Sequence, residues 1–408
     1  MLKNLLLVTI SLTLSLLMAE WVAGRLAHGP AFRMAQEQGI SYDTRDRLQV
    51  ILDNREIEPN WFPAVPANTY LENHIYLGKR RILPLAGVAK AQVVGCNENG
   101  YYSTFSTDEV GFRNPVGTWP LKNNKYIFFV GDSFTQGDCV LEHETIVERL
   151  RKDFPNVVNL GVGGNGPLLE LAAIREYIPH GGPSYVFWIY YEGNDLMDLR
   201  RDYSDSLLRN YLQPDFKQSL LDSQETINDT VRDYVEDRIA EKLREKPTLF
   251  PNLRMALWKI RHKPANARGN GVEGKAKIAE LELFLRAIKI ARDEVHSKGG
   301  QLVFVYLPEY NRITGDTLST AARQREPLLK GIADLGIPVV DMQPRLLNHP
   351  DPVSLLPFRM KGRHYTAEGY GMVAEAMRQF LDTQLVSPIP LNGTPPTSRT
   401  TDHDRTPS

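Results

Sequence analysis

The stretch that decides the fold is Tyr126-Ile-Phe-Phe-Val-Gly-Asp-Ser-Phe-Thr-Gln-Gly137. Its first five residues are β-branched or aromatic, a composition that favours a buried strand. Gly131 then lets the backbone bend sharply, so that Ser133 is presented at the carboxyl end of the strand. A serine in that position is a candidate nucleophile, although most Gly-Asp-Ser tripeptides only cap a helix or close a turn.

Three later segments give this serine its significance, because each follows another predicted strand or precedes the last predicted helix. They are Asn159-Leu-Gly-Val-Gly-Gly-Asn165, Glu192-Gly-Asn-Asp195 and His364. Together with Ser133 they resemble, in order, the four blocks of the SGNH (GDSL-type) hydrolases, in the form of a bacterial membrane-anchored member. The resemblance covers residues 105–381 and includes a preceding segment, Asp108-Glu-Val-Gly-Phe-Arg-Asn114.

The resemblance implies a role for each block. Ser133 would attack an ester carbonyl, and His364 would act as the general base. The oxyanion hole would consist of the backbone N–H groups of Ser133 and Gly164 and the side-chain amide of Asn194. Gly164 is chosen because it is the fifth residue after Asn159, and a flexible turn is the alternative there. Asn194 has the alternative of closing a local turn.

The chain departs from the family pattern beside the histidine. Family members usually carry an Asp two or three residues before it, whereas this chain has Lys361 and Gly362. Three explanations compete: a Ser–His dyad oriented by a backbone carbonyl, a carboxylate supplied from elsewhere, or a catalytically weakened protein. We favour the dyad, since orientation needs only a well-placed acceptor. The carboxylates considered for the second explanation are Asp341, Asp351 and Glu309.

The alternation of strands and helices predicts an α/β fold over residues 125–385. The near-continuous apolar strands indicate burial on both faces, and hence a three-layer α/β/α arrangement with a mostly parallel, doubly wound (flavodoxin-like) sheet. The predicted strands are Tyr126–Val130, Val157–Leu160, Tyr185–Tyr190, Leu302–Leu307 and Pro338–Asp341. The predicted helices are Glu144–Asp153, Leu168–Ile178, Lys277–Lys298, Thr320–Leu335 and Thr366–Leu381.

Three other regions flank or interrupt this predicted domain. Residues 25–124 are irregular, and we expect loops and short strands there. Residues 196–274 form a polar, helical insertion whose Leu253–Lys263 segment combines Trp258 with basic residues. That segment suits lipid headgroups or a lid, but ordinary surface packing is the simpler reading. Residues 386–408 are rich in Pro, Thr and Ser and are predicted to be disordered.

Residues 1–24 are predicted to be a membrane anchor or an uncleaved signal. From Asn4 to Gly24 the chain is mostly apolar with Glu20 as its one charged residue, and about 21 helical residues span roughly 31 Å, which is enough to cross a bilayer core of about 30 Å. Cleavage after Ala19 would put the bulky Leu17 at a position that prefers small residues, so we favour an uncut anchor. Lys3 favours placement of the remaining chain outside the cytoplasm.

The overall composition excludes some classes of function. The 408 residues include 48 basic and 49 acidic side chains, and this balance lacks the positive charge expected of a nucleic-acid-binding protein. The chain contains Cys96 and Cys139 without zinc-type spacing. They are compatible either with one disulfide or with two separate buried thiols. No metal and no cofactor is expected.

The resemblance therefore implies a serine esterase acting on acyl, most plausibly O-acetyl, esters of a carbohydrate. Its expected partners are an acylated carbohydrate or other small ester and, through the N-terminal helix, the bacterial inner membrane. The catalytic domain would lie on the periplasmic side. Two alternatives stay open, namely an O-acyltransferase that modifies an exported polysaccharide, and a non-catalytic carbohydrate-binding or assembly component.

Overall fold

The structure, a computed structural model, describes residues 2–27, 29–119, 121, 125–245, 249–261, 273–319 and 321–386. Its first part contains four helices and five three-residue strands. The helices are α1 (Leu2–Ala27), α2 (Pro30–Glu37), α3 (Arg47–Arg55) and α4 (Thr69–Glu72). The strands are β1 (Trp61–Pro63), β2 (Ile75–Leu77), β3 (Arg80–Ile82), β4 (Gln92–Val94) and β5 (Thr104–Ser106).

The second part alternates strands and helices. The strands are β6 (Tyr126–Gly131), β7 (Val157–Asn159), β8 (Pro183–Tyr191), β9 (Gln301–Leu307) and β10 (Val339–Asp341). The helices that precede β9 are α5 (Ser133–Gln136), α6 (Ile146–Arg151), α7 (Pro167–Tyr177), α8 (Asp195–Ser204), α9 (Ser206–Arg209), α10 (Gln224–Arg244), α11 (Pro251–Arg261) and α12 (Glu273–Ser297). The later helices are α13 (Tyr310–Thr314), α14 (Arg325–Asp334), α15 (Gln343–Leu347) and α16 (Ala367–Val386).

Strands β6 to β10 form one sheet with the order β10-β9-β8-β6-β7, and every neighbouring pair is parallel. Numbered by their order in the chain, the strands lie 2-1-3-4-5 across the sheet, which is the flavodoxin-like order. The predicted fold class is thus confirmed. The order also puts β6 between β7 and β8, so the loops after these three strands meet at one edge.

Alternating residues of each strand fill two separate cores. On one face, Phe128 and Trp188 pack with residues of α7 and α12. On the other face, Phe129 and Phe187 stack with ring centroids 5.0 Å apart and pack with residues of α6 and α16. Helices therefore cover both faces of the sheet, which explains why its strands are apolar at almost every position.

The region of residues 25–124 packs against this sheet domain. Strands β1, β4 and β5 form a small mixed sheet, and β2 pairs with β3 as a hairpin. Phe62 and Phe112 belong to the same core as Phe128. The region also contains helices in addition to the loops and short strands that the pattern indicated.

Helices α8 to α11 lie in the insertion between β8 and α12. In α10, Val231, Val235 and Ile239 are buried, in agreement with the helical spacing of the sequence. Arg55 of α3 forms a bidentate pair with Glu236 of α10, with both N–O distances 3.0 Å. The insertion is thereby joined to the region before the sheet.

Helix α1 contains an apolar segment, Leu6–Gly24, of 19 residues with a mean hydropathy of 1.9. Its length and composition suffice for a membrane span, and a signal sequence near the N-terminus would have the same properties. Of the predicted disordered tail, residues 387–408 lie outside the described part of the chain.

Candidate active site

The turn after β6 presents Ser133 as the first residue of α5. The carboxylate of Asp132 caps this short helix by accepting the Phe134 N–H at 2.9 Å. Gly131 has φ +154°, and a Cβ there would lie 2.8 Å from the carbonyl oxygen of Ile189 on the neighbouring strand. Only glycine fits so close to β8, and this fixes the position at which Ser133 leaves the sheet.

His364 lies just before α16, the last helix of the domain, and its side chain contacts Ser133. Its Nε2 lies 2.8 Å from Ser133 Oγ, a distance suited to direct proton transfer. The ring of Phe134 lies 5.0 Å from the imidazole and 4.2 Å from the ring of Tyr191, so it backs the histidine with an aromatic stack. Two residues separated by 231 positions in the sequence thus meet in one hydrogen bond.

A carboxylate also contacts the histidine, and it belongs to Glu98. Its Oε2 lies 3.1 Å from His364 Nδ1 and accepts the His364 backbone N–H at 2.7 Å. Arg363 Nη1 lies 3.8 Å from the other carboxylate oxygen. The two contacts to one oxygen hold the imidazole and the backbone together, which is the orienting arrangement of a Ser–His–acid constellation.

This finding differs from the dyad favoured above, in which a backbone carbonyl faced Nδ1. The three carboxylates considered as substitutes have other partners. Asp341 pairs with Arg325, Asp351 pairs with Arg359, and Glu309 accepts the Ser319 N–H. Glu98 was missed because it lies 266 residues before His364 and in no block of the family pattern.

The pair of Glu98 and His364 shifts both of their pKa values. Burial raises the pKa of Glu98, but the hydrogen bond and the charge of His364 outweigh burial, and the pKa falls below its usual value. Burial lowers the pKa of His364, yet the hydrogen bond and charge of Glu98 outweigh it, and this pKa is raised. The carboxylate therefore stabilises an imidazolium, the species that forms when Ser133 gives up its proton.

A disulfide joins the loop that carries Glu98 to the segment that follows Ser133. It links Cys96 to Cys139. Cys96 is two residues before Glu98, and Cys139 Sγ lies 3.4 Å from His364 Nδ1. Among the described residues, Cys96, Cys139 and His364 also lie close enough to share a metal ion, but the disulfide uses both sulfur atoms.

The loop after β7 offers one free amide at the predicted position. Gly161 N–H donates to Asn159 Oδ1 at 2.8 Å, and Gly163 N–H donates to Gln136 Oε1 at 2.6 Å. Gly164 N–H and Ser133 N–H donate to no protein acceptor among the described residues. Gly164 has φ +76°, and a Cβ there would lie 3.1 Å from Asn68 Oδ1.

Asn194 lies beside Ser133's turn, but its amide is already engaged. Nδ2 donates to Asp132 Oδ2 at 3.1 Å and to Asp198 Oδ2 at 3.0 Å, while Oδ1 is buried without a partner in the described part of the chain. Both amide hydrogens thus point at carboxylates, so donation to an oxyanion requires the exchange of one of these bonds. Burial raises the pKa of Asp132 to about 6, despite the bonds from Phe134 and Asn194.

Helix α8 supports the loop after β7 through residues that sequence reasoning did not single out. Arg201 donates to the Gly164 carbonyl oxygen and to Asp198 Oδ1, at 2.8 Å in each case. Asp202 accepts the backbone N–H groups of Leu168 and Leu169 at 3.2 and 3.3 Å. The only sequence signal for Arg201 and Asp202 is that they follow Asn194 within eight residues.

The comparisons with known proteins add likenesses of fold. No protein-family model and no curated protein matches the chain. Solved structures that match include an acetyl xylan esterase, with 11% identity, 63% of this chain and 99% of that chain covered, and a TM-score of 0.37. The lipase/acylhydrolase from Enterococcus faecalis matches with 13% identity, coverages of 64% and 96%, and a TM-score of 0.36.

A lipolytic protein of the G-D-S-L family from Desulfitobacterium hafniense DCB-2 matches with 13% identity, 63% of this chain and 99% of that chain covered, and a TM-score of 0.35. At these scores the likenesses carry no inference about substrate. The α/β/α fold stands on the strand order of the structure itself.

Proposed function

We propose that this protein is a serine esterase that removes acyl groups, and specifically O-acetyl groups, from a carbohydrate. The observation that carries the proposal is the chain of contacts from Ser133 Oγ to His364 Nε2 at 2.8 Å and from His364 Nδ1 to Glu98 at 3.1 Å. A nucleophile, a base and an orienting carboxylate in this sequence of contacts suit covalent acyl transfer. The substrate class rests on the resemblance of the four sequence blocks and on the predicted location outside the cytoplasm.

In this mechanism Ser133 Oγ bonds to the ester carbonyl carbon while its proton passes to His364 Nε2. Glu98 stabilises the imidazolium that results. The negative charge on the carbonyl oxygen is stabilised by the N–H groups of Ser133 and Gly164, with Asn194 as the third donor after exchange of a carboxylate bond. The C–O bond to the alcohol then breaks, and the alcohol leaves with the proton from His364. Water repeats the sequence and releases the acid.

Glu98 also bears on the non-catalytic alternative. That alternative was motivated by the absence of an acid beside the histidine in the sequence. Because Glu98 contacts His364 Nδ1, an orienting carboxylate is present after all, and this contact supports an active enzyme. Hydrolysis and transfer use the same acyl-serine, so the acceptor of the acyl group separates them.

The test uses the full-length protein in detergent with an aryl acetate and with a fluorophosphonate probe. Ser133→Ala should abolish labelling, and Ser133→Ala and His364→Ala should each reduce hydrolysis by about 10⁴-fold or more. His349→Ala is the matched control, because His349 also pairs with a carboxylate, Glu368, at 3.2 Å but lies elsewhere. A wild-type protein that neither hydrolyses the ester nor reacts with the probe would refute the proposal.

A second measurement addresses the substrate. Acetylated xylo- and manno-oligosaccharides are incubated with the wild type and with Ser133→Ala, and released acetate is measured. An acceptor oligosaccharide is then added to find whether acetyl reaches it. Acetate release by the wild type but not by Ser133→Ala supports the esterase. Transfer of acetyl to the acceptor without release of acetate supports the acyltransferase alternative.

A further inference from the structure

A carboxylate inside the apolar helix α1 has a specific partner in the insertion. Glu20 Oε1 accepts hydrogen bonds from Asn252 N at 3.0 Å and from Asn252 Nδ2 at 2.9 Å. Its Oε2 accepts the Leu253 N–H at 2.9 Å. The first N–H groups of a helix have no partner within the helix and carry a partial positive charge, so the amino end of α11 suits this anion.

The surfaces of the two helices also fit closely at this point. Gly24 lies one helical turn after Glu20, and a Cβ at Gly24 would lie 3.2 Å from Asn252 Nδ2. Ala23 is buried, although most of the apolar window of α1 is exposed. Small residues at positions 23 and 24 therefore let α11 approach α1, and the contact is fixed in position as well as in charge.

Large apolar side chains in α11 and just before it are also exposed. Met255 is 51% exposed and Leu257 is 53% exposed, and Leu249, just before the helix, is 81% exposed. Arg254 is exposed between them, and the sequence of the helix continues with Trp258, Lys259 and Arg261. Exposed apolar residues interspersed with basic ones are typical of helices that lie at the boundary between lipid headgroups and acyl chains.

The depth of Glu20 in the bilayer determines the depth at which α11 would begin. Glu20 is four residues, or about 6 Å along the helix axis, from the end of the apolar window at Gly24. If α1 spans a bilayer core of about 30 Å, Glu20 is near the edge of that core. Because the first N–H groups of α11 bond to Glu20, α11 begins at the same depth.

We propose that α11 is a second membrane contact, docked through its amino end on Glu20 of α1, with Met255 and Leu257 inserted at the headgroup boundary of a phospholipid bilayer. The bilayer then holds the protein at two points that are about 230 residues apart in the sequence. A single anchor would allow the sheet domain to rotate freely, whereas two contacts fix which side of the domain faces the membrane.

The test places a nitroxide label on α11 of the full-length protein in phospholipid nanodiscs. Leu257→Cys is compared with Leu243→Cys on α10, since both leucines are 53% exposed in the structure. The two native cysteines are bonded to each other, so the added thiol is labelled selectively. The label at position 257 should collide several-fold less with a water-soluble nickel chelate, and more with oxygen, than the label at 243. Equal accessibility to the nickel chelate at both positions would overturn the membrane contact.

Docking on Glu20 is tested in the Leu257→Cys background. Glu20→Leu and, independently, Gly24→Val should raise the nickel accessibility of the label at 257 toward that of the label at 243. Circular dichroism with a thermal melt verifies that each variant is folded. Unchanged protection in both variants would refute docking on α1, as would an intact mass that lacks the first 24 residues. None of these readouts depends on ester hydrolysis, so the esterase proposal can fail separately.

Discussion

The edge of the parallel sheet and the loop that carries Glu98 build the site in different ways. Ser133, Gly164 and Asn194 follow three adjacent strands, so the strand order alone brings them together. Glu98 lies outside the sheet, in a loop after β4, and is held by a disulfide and by contacts to His364. The sheet edge can be recognised from local sequence, whereas the acid depends on the tertiary structure.

The strongest test of this difference is Glu98→Gln. The amide keeps the shape but not the charge, so it no longer stabilises the imidazolium, and kcat should fall by about 10²–10⁴-fold. Aryl acetate kinetics measure the loss. The control is Glu368→Gln, which changes the other carboxylate paired with a histidine, at 3.2 Å from His349. Full activity of Glu98→Gln would instead support the Ser–His dyad in which a backbone carbonyl orients His364.

A second test addresses the sheet edge through Gly164→Ala. The added methyl group meets Asn68 at a backbone φ of +76° and displaces the amide from the oxyanion, so we expect a loss of about 10²–10³-fold in kcat. Gly336→Ala is the control, since Gly336 has a similar φ of +70° with nothing within 4 Å of the new methyl group and lies before β10, at the opposite edge of the sheet from the site. Both variants strain the backbone at a positive φ, Gly164→Ala adds the contact with Asn68, and only Gly164→Ala should lose activity. Equal kcat values would exclude the Gly164 N–H as a donor.

A third test separates the loop from the sheet by removing the disulfide with Cys96→Ser and Cys139→Ser. Loss of a covalent link that closes a loop of 43 residues should lower the free energy of unfolding by about 2–4 kcal/mol. Denaturant unfolding measures this change. We also expect a lower kcat, because Glu98 loses its tether two residues away. A double variant with the wild-type kcat would mean that the contacts to His364 suffice to hold Glu98.

The smallest effect concerns pH. The base must be neutral, and Glu98 raises the pKa of His364, so kcat/KM should fall as pH decreases through that raised pKa. In Glu98→Gln the acid limb of the profile should move to lower pH. Because the pKa of His364 is raised in the folded protein, its pair with Glu98 stabilises the folded state at pH values below the pKa of histidine in the unfolded chain. This stabilisation is lost as pH rises through the pKa of His364 in the folded state. An acid limb at the same pH in both proteins would show that Glu98 does not act on His364.

Most of the sheet domain was predictable because its signals are local. The strand predicted at Tyr126–Val130 is observed at Tyr126–Gly131, and the helix predicted at Leu168–Ile178 is observed at Pro167–Tyr177. Continuous apolar runs bounded by glycines leave few other possibilities. The candidate site residues that the sequence could indicate either follow such a strand, as Ser133 and Gly164 do, or directly precede the last helix, as His364 does.

The remaining parts depend on contacts that no local pattern encodes. Glu98 is one of 49 acidic residues, and its one distinguishing neighbour is Cys96, whose pairing with Cys139 the sequence left open. The engagement of the Asn194 amide by Asp132 and Asp198 likewise requires the packing of α8 against the turn of α5. Side-chain direction at a crowded site is decided by charge and burial together, which a linear sequence does not reveal.

The separation of 266 residues between Glu98 and His364 has a consequence for biosynthesis. During translation the carboxylate and the nucleophile are made long before the imidazole, which precedes the last helix of the domain. Under the proposed mechanism, a nascent or truncated chain that ends before residue 364 would lack the general base and would not turn over esters. The proposed activity would therefore begin only when synthesis of the domain is nearly complete, and the appearance of ester hydrolysis would report that the final segment has joined the rest.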